Sequence, residues 1–452
     1  MERTTRSWMW RSRCRRSGYL LPPQRCSIAV VAALAAIVLG ACGAPGGSPW
    51  WRGSWSVQAS PSPLASGVTG YAGTQADALY AVSCPSPTYC VAVGSWAKTS
   101  ANFNHPLLLV YSAGRWATLH ASELPGSLYG VSCPSASTCV ALGSDTYAIV
   151  RGSSVSIQPL PTIVEGRLGA VSCPSTTDCW AVGYGPYAYT SFSRTDPDHL
   201  VIAHLLGSRW SSVDPPAIPR PRHSALSSLL FGVSCPDSTS CIAVGETGSS
   251  PTGVQEMLVL SYDGSSWSYV PMPALQAHHE SWLRGVSCLS ARSCVAVGAT
   301  TIPRQRSTNG FVDRTLVANY DGSSWSMVRS PDPLGGLGSD DLVGAACVSA
   351  GRCVATGFTT DSAGDTSNLA LASSRGTWSP VGVPDAGGNS SLGDRHFVGC
   401  SSASCWDNSL AGLACPTAST CFAVGSITYE SDENDQSTTS VARTLVLRYA
   451  GS

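Results

Sequence analysis

Seven pairs of cysteines share one spacing, and the thiol is the side chain in this sequence whose placement most clearly points to chemistry. The pairs are Cys84/Cys90, Cys133/Cys139, Cys173/Cys179, Cys235/Cys241, Cys288/Cys294, Cys347/Cys353 and Cys415/Cys421, each Cys-x5-Cys. Such a pair can form a disulfide, half of a metal site or a redox dithiol. Zinc needs four donors, and each pair offers two thiols with no spaced histidine pair, so neither a metal nor another cofactor is expected. A redox role is disfavoured because Cys-x-x-Cys is absent and seven equivalent sites do not resemble one reactive centre. Beyond Cys14, Cys26 and Cys42, sixteen of the 19 cysteines remain, an even number that favours complete pairing. The eighth pair is then Cys400 with Cys405, in "GCSSASCW". A five-residue hairpin loop would bring opposed Cα atoms to about 5.5 Å, within disulfide geometry.

The elements that must hold these pairs follow from the repeat around them. Most copies read "VSCPS…CVAVG", with a period of 40 residues or more, as in "GVSCPDSTSCIAVG" at 232–245. Around that copy lie four strand-like pieces, 232–235, 241–245, 256–262 and 265–273. Between the third and fourth stands "YDGSS", where Asp-Gly suggests a type I′ hairpin. Four antiparallel strands per unit predict an all-β, seven-bladed β-propeller. The last copy ends at "RTLVLRYAGS" without a fourth strand, and "RGSWSVQASPSP" near residue 55 supplies one. The N-terminal strand should therefore pair with the C-terminal blade and close the ring. Trp55, Trp116, Trp210, Trp267, Trp325 and Trp378 recur at one place in the repeat, with Val155 in the second copy. They read as inter-blade core, with indole N–H groups bonded to a neighbour; carbohydrate stacking is the alternative.

Residues 1–41 stand apart from this pattern. An arginine-rich start and an apolar run, "SIAVVAALAAIVLGA", have the form of an export signal. "LGAC", Leu39 to Cys42, resembles the lipobox of bacterial lipoproteins, which implies cleavage before Cys42 and acylation of that residue. On this reading 42–52 is a flexible tether, 53–452 is the propeller, and the protein is anchored to the outer face of the cell membrane. Losing 1–41 removes seven of 27 basic residues and one of 28 acidic ones, leaving 20 against 27, about −7. A mildly acidic domain with one lysine, Lys98, has no electrostatic footprint for nucleic acid.

Length variation falls in the second-to-third loops and the blade-to-blade connections, which share one face of a propeller. That face is the expected binding surface. Its aromatic and arginine residues are the candidate contacts: Trp96, Phe103, Tyr187, Tyr189, Phe192, Trp282, Arg304, Arg306, Phe311 and Trp406. Catalytic patterns are sparse. His278-His279-Glu280 lacks metal spacing, and Ser431–Asp435 lacks the glycine and terminal glutamate of a calcium loop. Asp340-Asp341 and Asp196/Asp198 leave a glycosidase carboxylate pair open.

"YDGSSW", at 262–267 and again at 320–325, resembles the Asp-box of sialidase-type propellers. More broadly, residues 53–452 are similar to secreted bacterial seven-bladed propeller repeat proteins. The second resemblance implies the fold and export. The first implies, as an alternative function, a glycan-active hydrolase or lyase. The leading expectation is a monomeric, lipid-anchored binding scaffold for an unknown protein or glycan, with an envelope assembly factor as a third possibility.

Overall fold

The structure, a computed structural model, describes residues 51–63, 75–97, 105–121, 126–144, 146–161, 166–185, 199–219, 228–248, 255–273, 275, 279–303, 310–362, 364–386, 406–432 and 438–451. Residues 1–41 and Cys42 lie outside these residues. Among them there is no α-helix, and seven blades of four antiparallel strands form a ring. The innermost strands are Gln75–Ser86, Leu128–Ser135, Arg167–Ser175, Ser228–Asp237, Ser281–Ser290, Ser339–Ser349 and Trp406–Thr417. Each packs against the innermost strand of the next blade, the seventh against the first. Blade seven takes its outermost strand, Ser54–Val57, from the N-terminal segment, with Trp55 opposite Tyr449. The strands exceed the sequence reading: blade four begins at Ser228, and its second strand runs to Gly248.

The repeated residues build one local device. Every innermost strand bulges one residue after its buried leucine, at Tyr80, Tyr129, Gly169, Phe231, Arg284, Val343 and Ala411. A bulge leaves one residue unpaired and turns the strand. The glycine of "VAVG" sits opposite the strand just before that point. A Cβ on Gly245 would stand 1.9 Å from the Leu229 carbonyl oxygen, and all seven copies repeat the contact at 1.8–2.0 Å. No other residue fits there.

Seven disulfides close the first hairpins: Cys84–Cys90, Cys133–Cys139, Cys173–Cys179, Cys235–Cys241, Cys288–Cys294, Cys347–Cys353 and Cys415–Cys421. Their Cα–Cα distances are 4.0–4.1 Å. This is shorter than the hairpin argument suggested, because the cysteines oppose each other as a non-hydrogen-bonded pair. One half of each bridge is buried. Cys90, Cys139, Cys179, Cys241, Cys294, Cys353 and Cys421 are all buried, at most 3% exposed. Each is the second residue of the second strand of its blade and belongs to an apolar cluster shared with the adjoining blade. Their partners lie nearer the surface, Cys133, Cys173 and Cys235 being 8–9% exposed. The Cys288 N–H donates across the blade boundary to Ser234 Oγ at 3.0 Å. Cys400 and Cys405 lie outside the described residues.

Seven apolar clusters hold the ring, one at each blade boundary. Trp267 joins blade four to Trp180 and Ile202 of blade three, and Trp55 joins blade seven to Val354 of blade six. Val155 packs at the boundary of blades one and two, where the tryptophan is missing. Among the described residues, the expected indole hydrogen bond is missing at five of the six tryptophans. Nε1 of Trp55, Trp116, Trp210, Trp267 and Trp325 is buried with no protein acceptor. Each ring faces the apolar strands of its neighbour. Burying roughly 200 Å² of indole, about 5 kcal/mol by area, exceeds the cost of about 1–3 kcal/mol for one unpaired donor.

Two third-to-fourth turns have positive φ at both central residues, as a type I′ turn requires, but not at Asp-Gly. They are Ala113-Gly114 (φ 52° and 80°) and Arg375-Gly376 (φ 51° and 83°). "YDGSS" instead makes a four-residue loop capped by its aspartate. Asp263 Oδ1 accepts from Ser265 N, Ser265 Oγ and Ser266 N, and Asp321 repeats this with Ser323 and Ser324. Those bonds hold both carboxyls down at about 2.

Candidate functional site: the bulge ring and the variable rim

The ten residues proposed from sequence separate. Phe103, Tyr187, Tyr189, Phe192, Arg304 and Arg306 lie outside the described residues. Trp406 begins the innermost strand of blade seven, opposite Tyr429. Phe311 opens the third strand of blade five and is 65% exposed. Trp96 and Trp282, expected to be exposed, are buried. Trp96 packs on the His105 ring at 5.0 Å, and Trp282 donates its indole N–H to Asp341 Oδ2 at 3.3 Å. Both flank variable loops in sequence, but the strands extend far enough to take them into the sheet.

The rim on which Phe311 stands is uneven. Blade five carries its second strand to Pro303, opposite Phe311, and blade seven carries its ribbon to Asp432, opposite Thr438. The opposite rim holds the disulfide hairpins, all of one length.

A second arrangement was not read from the sequence. The bulges turn one residue per blade toward the axis, and with their neighbours they line a central cavity of about 510 Å³. Its wall is asymmetric. Blades one and two contribute Tyr80 and Tyr129, with ring centroids 5.2 Å apart. Tyr80 donates to or accepts from Ser95 Oγ at 3.0 Å, and burial pushes its phenol above the usual range. The Arg167 guanidinium lies 3.5 Å from the Tyr129 ring centre and 5.9 Å from that of Tyr184, its cross-strand partner. Across the axis, Arg284 donates to Asp341 Oδ2 at 3.1 Å and lies 5.4 Å from the Phe231 ring. Burial pushes the Asp341 carboxyl up, against the pull of Arg284. Burial also raises Glu246, which accepts from Gln255 Nε2 at 3.2 Å.

No protein-family model matches the chain, and no curated protein matches it. Solved structures do. The structure of YCF48 bound to D1 peptide is 12% identical with a TM-score of 0.48, over 89% of this chain and 99% of that one. Sqt1 from Chaetomium thermophilum is 12% identical with a TM-score of 0.45, over 85% and 100%. The subtype N11 neuraminidase-like protein of A/flat-faced bat/Peru/033/2010 is 10% identical with a TM-score of 0.36, over 89% and 94%.

Of the carboxylates singled out for catalysis, Asp196 and Asp198 lie outside the described residues, and Asp340 and Asp341 are engaged in the fold. Asp341 is paired with Arg284, and Asp340 Oδ2 accepts the Leu334 N–H at 3.2 Å. No cluster of three or more metal-ligating side chains occurs among the described residues. The bulge position did leave a signal. In "L-x-[GA]-V-S-C" the x varies as Tyr, Tyr, Gly, Phe, Arg, Val and Ala while its neighbours repeat, with the sixth and seventh copies varying further on. Variation inside a constant frame marks a position freed from packing.

Proposed function

We propose that this chain is an exported binding scaffold, anchored by acyl chains on Cys42, that takes a macromolecular partner on its variable rim. The observation behind this reading is the contrast between the two rims. One is seven disulfide hairpins of a single length; the other varies blade by blade and carries the ribbons ending at Pro303/Phe311 and Asp432/Thr438. A rigid ring that leaves one face free to vary suits recognition, and the hairpins suit an oxidising compartment. The use of Asp340 and Asp341 inside the fold favours binding over glycan hydrolysis.

The test compares cross-linking in intact cells for the wild type and a rim variant. In the variant, residues 303–311 and 432–438 are each replaced by a two-residue Asn-Gly turn. The cross-linked species should disappear, while the melting temperature moves by no more than about 2 °C, the equivalent of roughly 2 kcal/mol in a domain of this size. Cross-links that survive the replacement, or turnover of fluorogenic glycosides by the wild type, would overturn the reading.

A further inference from the structure

Gly169 stands at the bulge of blade three, where six other blades carry a side chain. Neither of the usual reasons for glycine applies. Its φ is outside the left-handed region, and a Cβ built there would meet nothing within 4 Å. The missing side chain therefore leaves open space in the cavity wall, bounded by Tyr129 of blade two and Phe231 of blade four. Beside that notch lies Arg167, two residues earlier on the same strand.

The two arginines of the cavity differ in charge compensation. Arg284 is neutralised by Asp341 at 3.1 Å. Arg167 forms no ion pair among the described residues, and the Tyr129 ring 3.5 Å away holds its guanidinium by one face. A guanidinium held flat by an aromatic face keeps its N–H edge free, and that edge matches a carboxylate through two parallel hydrogen bonds. The rings of Tyr80 and Tyr129, inclined at 33°, add an aromatic wall. The cavity, about 510 Å³, is within the size range of small-ligand sites.

We infer that the notch over Gly169 is a binding site for a small planar aromatic carboxylate, with the acid on Arg167 and the ring against the Tyr80–Tyr129 wall. This site goes beyond the rim and does not depend on it: the cavity binds or fails to bind whatever the cross-links show.

Calorimetry on the full chain tests it with three probes: indole-3-propionate, its uncharged amide, and gluconate, an acid without a ring. The aromatic acid should bind at one site, at least about tenfold more tightly than either control. Arg167→Gln should weaken it by at least about tenfold. Gly169→Leu, whose Cβ meets nothing within 4 Å, should abolish binding at an unchanged melting temperature. It also keeps the test decisive if losing the Arg167 stack perturbs folding. Absence of binding by the aromatic acid at millimolar concentration, equal binding of the amide or gluconate, or wild-type binding by Gly169→Leu would each overturn the assignment.

Discussion

Asp340 shows how one side chain in this fold sets a pH dependence. It lies on the innermost strand of blade six, 1% exposed, with Oδ2 accepting the Leu334 N–H. Oδ1 has no partner among the described residues. Burial, with a smaller push from Asp332, raises its carboxyl to about 6. The folded protein thus holds this proton more tightly than the unfolded chain does. The resulting stabilisation is complete below the ordinary aspartate value of 3.8 and is lost as pH rises through about 6. At neutral pH the ionised group costs the fold on the order of 1–3 kcal/mol. Asp340→Asn should therefore raise the melting temperature at pH 7.5 and change it little at pH 4. Thermal unfolding of both proteins across that range checks this, and a difference that does not vary with pH would refute it. Asp263 and Asp321 act with the opposite sign: held down at about 2, they favour the fold above 3.8 and lose that effect as pH falls.

The first hairpin of each blade combines three requirements: a bulge, a glycine facing the strand beside it and a disulfide near the tip. They are not equally important. Closing a loop as short as Cys235 to Cys241 contributes roughly 2 kcal/mol through the unfolded chain. A methyl group on Gly245 instead drives a Cβ to 1.9 Å from the Leu229 carbonyl oxygen, which only a backbone shift relieves. Gly245→Ala should destabilise the protein by about 4 kcal/mol or more, whereas Cys235→Ala with Cys241→Ala costs about half as much. Urea unfolding with the remaining disulfides intact ranks the two, and the reverse order would refute this account. The hairpins were legible in the sequence because seven copies repeat each requirement. How deep the second cysteine of each pair sits was not, since its apolar cluster is shared with the neighbouring blade. Strand lengths were also less legible: Ser281 and Trp282 precede the recurrent "GVSC" core, so nothing periodic placed Trp282 inside the sheet. The cavity wall was hidden for the opposite reason, since a bulge residue is released from the pattern and Tyr80, Gly169 and Arg284 share no chemistry. Arg167 and Tyr129 meet only once two blades stand side by side.

Around the whole ring, one hydrogen bond repeats between blades. The serine of "VSC" accepts the N–H of the first cysteine in the next blade: Ser83 from Cys133, Ser132 from Cys173, Ser172 from Cys235, Ser234 from Cys288 and Ser287 from Cys347, at 2.9–3.0 Å. The series stops at blade seven. Ala346 and Ala414 occupy the serine position in blades six and seven, so the boundaries on both sides of blade seven lack the bond. Blade seven is also the blade assembled from both ends of the chain. Trp51 stacks on Tyr449 at 3.7 Å, and the Gly53 N–H donates to the Tyr449 hydroxyl at 2.8 Å. Its strands are thus tied to one another while its innermost strand is less tied to its neighbours, so the ring should open first at blade seven. Ala346→Ser and Ala414→Ser should each add about 0.5–1.5 kcal/mol and slow amide exchange in Trp406–Thr417. Ser234→Ala should cost a similar amount without changing which blade exchanges first. If Trp406–Thr417 exchanges no faster than Ser228–Asp237 in the wild type, the five serine bonds are not what holds the ring shut, and the apolar boundary clusters must bear that role at every blade alike.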